Sequence, residues 1–249
     1  MKFWIGGVLT VVVFSALVNL GLWQRQRGDD KTMIETMLAE RAQLPPKSLL
    51  SLEIPATSDH PATYMEWFAL PVFGELQPLP TVFYLDNQTV DGRIGYLVLQ
   101  LMVDSSSRHW LVELGFVAGT EDRQQLPEVS IITKPVAVTG RLYQKMQSVL
   151  GSDLYTETFG AGDISQYRVQ NLNLEAMAEV IQQPLVRWVV QPTDNLTSYA
   201  HPWKPLSMNA KKHYGYAFQW FAMAFVFAGL ILVVLIRRMK VNTWSGEER

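Results

Sequence analysis

The stretch that decides the fold is FWIGGVLTVVVFSALVNLGL, residues 3–22, which carries no charged side chain. An α-helix rises about 1.5 Å per residue, so a helix of this length spans the roughly 30 Å hydrocarbon core of a bilayer. A cleaved signal peptide has a shorter apolar region and a small-residue cleavage site, whereas this stretch exits through Leu22-Trp23-Gln24-Arg25. Trp23 suits the membrane interface and the arginines suit the headgroups. We therefore predict an uncleaved transmembrane helix over 3–23.

A second uncharged stretch, YGYAFQWFAMAFVFAGLILVVLI, occupies residues 214–236. Lys211 and Lys212 precede it and Arg237 and Arg238 follow it. Aromatic residues crowd its first half, an asymmetry that lipid contact alone does not require. We predict a second transmembrane helix over 214–236 and a short tail over 237–249, with both termini on the same side of the membrane.

Composition excludes several classes of protein. The chain of 249 residues has a formal net charge of −2, so it lacks the basic excess of a nucleic-acid-binding protein. It contains no cysteine, which excludes disulfides, thiolate zinc sites, Cys-ligated iron–sulfur clusters and a cysteine-based copper chaperone. The chain starts directly with a membrane span and not with an Arg- and Ser-rich transit segment, which favours a bacterial inner membrane.

The segment between the spans, residues 28–210, is predicted to form one β-rich domain. A helix over 29–44 leads into it and stops at Pro45-Pro46. Short apolar runs follow in close succession, and Asn173 can cap a helix over 174–181. These patterns indicate an α+β membrane protein whose antiparallel sheet is barrel-like or sandwich-like, with one or two short helices. The predicted strands include Phe68–Val72, Val82–Leu85, Tyr96–Val103, Trp110–Val117, Val136–Leu142 and Val186–Val190.

Motifs for chemistry are sparse. The sequence has no G-x-S-x-G elbow, no P-loop and no H-E-x-x-H motif. His60, His109 and His201 stand in loop or turn contexts without a second histidine at ligand spacing, so we interpret them as surface or loop residues and predict no protein-only metal site. Gln219, within the second span, can hydrogen-bond the facing helix at Asn19.

His213 differs from the other histidines because it directly precedes the aromatic half of the second span. In a helix, His213, Ala217, Trp220 and Ala224 share one face. An imidazole above a small residue, with an indole one turn further, could accommodate a flat macrocycle and bind its iron. The alternative is an interfacial histidine whose ring simply reaches the headgroups.

Two motifs at the membrane edges carry a resemblance. LGLWQRQR, residues 20–27, resembles the L-G-x-W-Q-x-x-R exit of the first membrane helix in the Surfeit locus protein 1 family. Asn209 with HYGYAFQWF, residues 213–221, resembles that family's N-x-x-x-H-x-x-Y-A-x-x-W-F entry to its second membrane helix. The order of helix, β-rich domain and helix agrees over nearly the whole chain.

The resemblance implies a factor, not an enzyme, that assists assembly of haem–copper terminal oxidases, chiefly cytochrome c oxidase. It further implies help in bringing haem a to the catalytic subunit, contact with that subunit and with haem a synthase, and a domain on the periplasmic side of a bacterial inner membrane. The family's haem-associated histidine falls on His213. Trp23, Arg27, Tyr216 and Trp220 are then supporting residues, and Arg27 could pair with a haem propionate.

One departure and two alternatives remain. Where family members carry an Arg-Gly-Trp segment in a central strand, this chain has Leu114-Gly115-Phe116, which puts any partner contact of that strand in doubt. A membrane-anchored periplasmic sensor or binding module is the main alternative, although 237–249 is too short for an output domain. A membrane-anchored hydrolase would need a nucleophile or metal set that no motif supplies.

Overall fold

The computed structural model describes residues 2–54, 61–120, 122–144, 155–159 and 163–244. Its contacts divide the chain into two compact units. A helical unit comprises Met1–Ala39 with Lys204–Arg249, and a β unit comprises Glu40–Trp203. His60 lies outside the described residues.

Two long helices, α1 (Lys2–Arg41) and α4 (Ala210–Trp244), occupy the ends of the chain. Each contains a stretch long and apolar enough to cross a membrane, with a mean hydropathy of 2.2 in α1 and 2.4 in α4. Only 6% of either stretch is buried inside the protein, whereas the core helix of a soluble protein would be mostly buried. The predicted pair of apolar helices flanking a β-rich domain is therefore confirmed.

The segment predicted to be helical over 29–44 is helical as far as Arg41, but it continues α1 and does not start as a separate helix at Asp29 or Asp30. The polar run from Gln24 to Asp30 contains good helix formers and interrupts the apolar pattern without breaking the backbone. The helix ends at Arg41, before Pro45-Pro46, because a proline disfavours helical geometry in the residue that precedes it. The Arg41 guanidinium donates to the carbonyl oxygens of Phe68 and Met65 within the β unit.

The sheet of the β unit closes on itself. Five strands pair in the circuit β2–β3–β4–β8–β5–β2, because the first part of the long strand β2 pairs with β5 and the rest pairs with β3. A closed circuit of pairs leaves no free edge, which is the defining property of a barrel. The strands are β1 (Lys47–Ser48), β2 (Pro71–Val90), β3 (Arg93–Val103), β4 (His109–Ala118), β5 (Val136–Tyr143), β6 (Glu157–Phe159), β7 (Ser165–Val169) and β8 (Leu185–Pro192).

The barrel-like prediction is thus confirmed, and the sheet is mixed, not purely antiparallel. Strands β4 and β8 pair in parallel, as do β2 with β7 and β1 with β2. The parallel β4–β8 pair needs a long crossover, which contains helix α3 (Leu174–Ile181). The Asn173 side chain accepts a hydrogen bond from the Ala176 N–H, which confirms the predicted cap. A further helix, α2 (Pro61–Trp67), precedes β2.

Strand β2 contains residues of two strands that the sequence predicted as separate, Phe68–Val72 and Val82–Leu85. Pro78 and Pro80 lie between those predicted strands, and a proline removes a donor from the ladder. The structure accommodates them in an irregularity, because the register with β3 shifts between Pro78 and Val82. Large apolar side chains are fully buried in the β unit, among them Phe83, Leu99, Trp110, Leu111, Trp188 and Val189.

Candidate functional site

The buried and partly buried positions of the two long helices include one stripe on each helix with heptad spacing. Steps of three and four residues alternate along each helix, as in a coiled coil, whose side chains interlock along one seam. On α4 this stripe includes the predicted face, and Ala217 and Ala224 are only 5% and 4% exposed. The seam positions are Leu17, Gly21, Gln24, Gly28, Lys31 and Glu35 on α1, and Ala210, His213, Ala217, Trp220, Ala224 and Phe227 on α4.

Two glycines on α1 receive two aromatic rings from α4. A Cβ atom added to Gly21 would lie 2.7 Å from the Phe221 ring, and one added to Gly28 would lie 2.6 Å from the Tyr214 ring. The glycines are seven residues apart and so are the rings, in reversed order, as an antiparallel pair requires. Any larger side chain at either glycine would displace a ring, so these contacts set the register of the two helices.

The start of α4 is capped from two sides. The Asn209 side chain accepts a hydrogen bond from the Lys212 N–H at 3.1 Å, an N-cap interaction. Glu35 of α1 accepts from the Ala210 N–H at 3.0 Å, which places a carboxylate at the positive end of the helix dipole. Both contacts satisfy N–H groups that have no partner within the helix. They fix where α4 begins, one turn before His213.

His213 is held by a hydrogen bond across the seam. Its Nδ1 atom lies 2.8 Å from Oε1 of Gln24. A carbonyl oxygen only accepts, so Nδ1 is the donor in this contact and Nε2 takes no part in it. Within the described part of the chain, Nε2 has no partner. A histidine whose Nδ1–H is bonded in this way can bind a metal through Nε2 when the ring is neutral, and the ring of His213 is only partly buried.

Tyr214 contributes a contact that sequence reasoning missed. Its hydroxyl donates to Asp29 Oδ1 at 2.8 Å and lies 3.1 Å from the Thr32 hydroxyl. The partners are 185 and 182 residues away in sequence, so no local pattern could have indicated them. The Tyr214 hydroxyl therefore joins α4 to α1 one residue after His213.

The other predicted site residues lie on both helices. Trp23 is half exposed, and the Arg27 guanidinium lies 5.9 Å from the centre of its ring. Arg27 also faces Asp30 at 3.7 Å, but both side chains are more than half exposed, so this pair holds Arg27 only weakly. Tyr216 and Trp220 follow His213 at helical spacing on one stripe of α4. No ring contact joins Trp23 to either of them among the residues that the structure describes.

Two expectations about α4 need correction. Gln219 does not bond Asn19: it is exposed and has no hydrogen-bond partner in the described residues, while Asn19 donates to the Ser15 carbonyl at 2.7 Å. The face of His213, Ala217 and Ala224 is also not an open platform for a macrocycle, because its alanines are buried. The partly buried His213 and the half-exposed Tyr216 remain accessible.

The β unit contains a buried polar cluster that includes His201. This residue lies in a loop, as predicted, but its side chain is mostly buried and not on the surface. The Glu113 carboxylate is fully buried and accepts from the Tyr143 hydroxyl at 2.9 Å and from Gln191 Nε2 at 3.0 Å. His201 Nδ1 lies 3.0 Å from the same carboxylate. Burial, together with the negative charge of Glu113, raises the pKa of the Tyr143 hydroxyl well above its usual value.

The segment Leu114-Gly115-Phe116 packs against the chain itself. Leu114 and Phe116 are buried, and the Phe116 N–H donates to the Ala200 carbonyl at 2.7 Å. Gly115 has a φ of 121°, and a Cβ atom there would lie 2.6 Å from Cβ of Tyr199. The departure from Arg-Gly-Trp therefore falls in the part of β4 that is covered by Tyr199 and Ala200 of the same chain.

A groove of about 770 Å³ lies beside α3 and the start of β8. Arg108 and His109 contribute to its wall, and Nδ1 of His109 is buried without a hydrogen-bond partner among the described residues. None of the five predicted site residues lines this groove. The described residues also contain no group of three or more His, Asp or Glu side chains that could hold a metal ion.

Two membrane-length helices at the ends of the chain, a closed mixed barrel in the segment between them, and an amide-bound histidine at the start of the second helix define a membrane-anchored barrel protein. The sequence model of the SURF1 family matches residues 11–225, which is most of the chain and includes both membrane-edge motifs. The chain belongs to the SURF1 family, which is known for cytochrome oxidase assembly. No curated protein matches the chain at a significant level.

Proposed function

We propose that the protein assists assembly of cytochrome c oxidase by helping haem a reach the catalytic subunit, with His213 binding the haem iron. The observation that carries this proposal is the 2.8 Å hydrogen bond from His213 Nδ1 to Gln24, which leaves Nε2 as a free ligand atom. Neutral imidazole is a common axial ligand of haem iron. Haem a is the cargo here, and the protein acts as an assembly factor and not as an enzyme.

The neighbouring residues support this role by their chemistry. Tyr216 lies one turn after His213 and is half exposed, so its ring presents aromatic surface suited to a porphyrin face. Trp220 lies two turns after His213 and is partly buried on the seam, where it would support the site from behind. The exposed Arg27 is only weakly paired with Asp30, so its guanidinium is available to a haem propionate. Trp23, beneath Arg27, would add a further aromatic wall.

The proposed setting is a bacterial inner membrane. Helices α1 and α4 both span the bilayer, the β unit stands on the periplasmic side, and 237–249 forms a cytoplasmic tail. The exposed apolar surface of both helices supports the lipid contact. The catalytic subunit of the oxidase, and haem a synthase as the source of the cargo, are the proposed partners.

The test is a complementation experiment in a strain that lacks this chain. Membranes from cells carrying the wild type, His213→Ala or the control His109→Ala are compared for oxidase activity and for haem a per catalytic subunit. We expect His213→Ala to lower both strongly at equal membrane levels of the protein, and His109→Ala to leave both unchanged. Normal haem a content with His213→Ala would overturn the assignment of the ligand.

A further inference from the structure

We propose that Gln24 is the positioning residue of the haem ligand, selecting the tautomer and orientation of His213 through the Nδ1–H···Oε1 hydrogen bond. The inference rests on the proposed function, and it adds a residue of the first helix to a site otherwise centred on the second. Gln24 would act through His213 without touching the cargo.

The first step of the argument is the geometry of the bond. The two atoms lie 2.8 Å apart, a short distance for an N–H···O hydrogen bond, and their residues are 189 positions apart in sequence. Both side chains are partly buried on the seam. A free imidazole can carry its proton on either nitrogen, whereas this amide oxygen admits only the form with Nδ1–H. The ring is thereby prepared to bind iron through Nε2 without a change of tautomer.

The second step is the rigidity of the frame around Gln24. Gly21 and Gly28 flank Gln24 by one helical turn on either side, and each is covered by an aromatic ring of α4. Glu35 and Tyr214 add hydrogen bonds that join the same two helices. These contacts fix the register of α1 against α4, so the Gln24 amide remains opposite His213 before any cargo arrives.

The third step is electronic. An acceptor on the distal nitrogen of a ligating histidine raises the basicity of the ligand, and such partners typically change metal affinity by about 10- to 100-fold. A neutral amide is a weaker acceptor than a carboxylate, so it holds the ring without driving it toward imidazolate. The moderate basicity of the histidine ligand suits a site that must later release haem a.

The test compares full-length variants in detergent after expression in cells that make haem a. Gln24→Leu removes the acceptor, and Gln24→Glu strengthens it. Gln26→Leu is the matched control, because Gln26 is exposed on the same helix two residues away. The readouts are haem affinity by titration and the midpoint reduction potential of the bound haem. Hydrogen bonding and ligand basicity tune this potential, which a purely structural role would not shift in a graded way.

We expect Gln24→Leu to weaken haem binding by about 10-fold or more and to raise the potential of the haem that remains. Gln24→Glu should still bind haem and should lower the midpoint reduction potential of the bound haem. Gln26→Leu should match the wild type in both haem affinity and potential. In a His213→Gly background, added imidazole should restore the haem spectrum, at a higher imidazole concentration when Gln24→Leu is also present.

The outcomes separate the two proposals. If the wild type binds haem through His213 but the two Gln24 variants match it in affinity and potential, the positioning role is overturned and the proposed function stands. If both variants lose affinity but their potentials do not move in opposite directions, Gln24 is structural only, which also overturns the inference. A wild type without a haem spectrum overturns the proposed function itself.

Discussion

The buried carboxylate of Glu113, in the middle of β4, lies 3.0 Å from Nδ1 of His201, which is 88 residues later in the chain. This contact joins the segment after β8 to the barrel. The same segment is held by the Arg141 guanidinium over the Trp203 ring at 3.8 Å and by the Phe116 N–H bond to Ala200. A set of specific polar contacts therefore ties the last residues of the β unit to its core.

Replacing His201 should destabilise the β unit. His201→Leu would remove one hydrogen bond from a fully buried carboxylate, which costs about 2 kcal/mol. The measurement is urea unfolding of the detergent-solubilised protein followed by tryptophan fluorescence. His109→Leu is the control. It should change the free energy of unfolding by less than about 1 kcal/mol, because Nδ1 of His109 is buried without a hydrogen-bond partner in the described residues. Equal losses in both variants would contradict a specific Glu113–His201 contact.

Gly115 should not tolerate a side chain. Gly115→Ala would place Cβ 2.6 Å from Cβ of Tyr199 and 2.9 Å from the Ala200 oxygen, at a φ of 121°. We expect a loss of at least about 2 kcal/mol in the free energy of unfolding. Gly119→Ala is the matched control, since its nearest contact would be an ordinary 3.5 Å. A Gly115→Ala protein as stable as the control would show that the segment containing Tyr199 and Ala200 can move away.

Asp104 should make the β unit sensitive to acid. Burial opposes its ionisation, but hydrogen bonds from Trp110 and Arg108 and the Arg108 charge lower the pKa of its carboxyl below the usual value. A lowered folded pKa means that the stabilisation is complete above the unfolded pKa of about 4 and is lost as the pH falls through the folded pKa.

Asp104→Asn should therefore lower the free energy of unfolding by about 2 kcal/mol at neutral pH. The difference in this free energy between the variant and the wild type should narrow below about pH 4. Unfolding curves across this range measure it. Asp122→Asn serves as the control, because within the described residues the Asp122 carboxylate accepts only from the exposed Gln124 N–H. A gap between Asp104→Asn and the wild type that does not change with pH would contradict the assignment.

Cross-linking can test the register of the helical unit without interference, because the chain has no native cysteine. The double variant Gln24→Cys/His213→Cys should react efficiently with a short thiol-specific cross-linker in membranes, since these side chains meet across the seam. Gln26→Cys/His213→Cys is the control and should react much less, because Gln26 is exposed. Introducing Gly28→Leu should reduce the first reaction by displacing the Tyr214 ring.

Local patterns predicted much of this fold. The two uncharged stretches, the Asn173 cap and the strands from Tyr96 to Val117 follow from hydropathy, capping chemistry and alternation within a few residues. The prediction failed where tertiary contacts decide. The polar run after Trp23 remains helical, and β2 passes through Pro78 because the register shift there accommodates the proline.

The sequence predicted which residues form the candidate site, but it did not predict the contacts between them. The motif pointed to His213, and helical periodicity gave the face it shares with Ala217 and Trp220. The bond to Gln24 depends on the register of two helices that are far apart in sequence, which periodicity cannot supply. The burial of Ala217 and Ala224 and the pairing of His201 with Glu113 arise in the same way, from long-range packing.

The most direct test of the central claim is the absorption spectrum of the purified full-length protein from cells that make haem a. It is recorded for the wild type, for His213→Ala and for Tyr214→Phe, whose ring stays in place over Gly28. We predict a Soret band in the wild type and in Tyr214→Phe that is lost in His213→Ala. A band of equal intensity in His213→Ala would contradict His213 as the haem ligand.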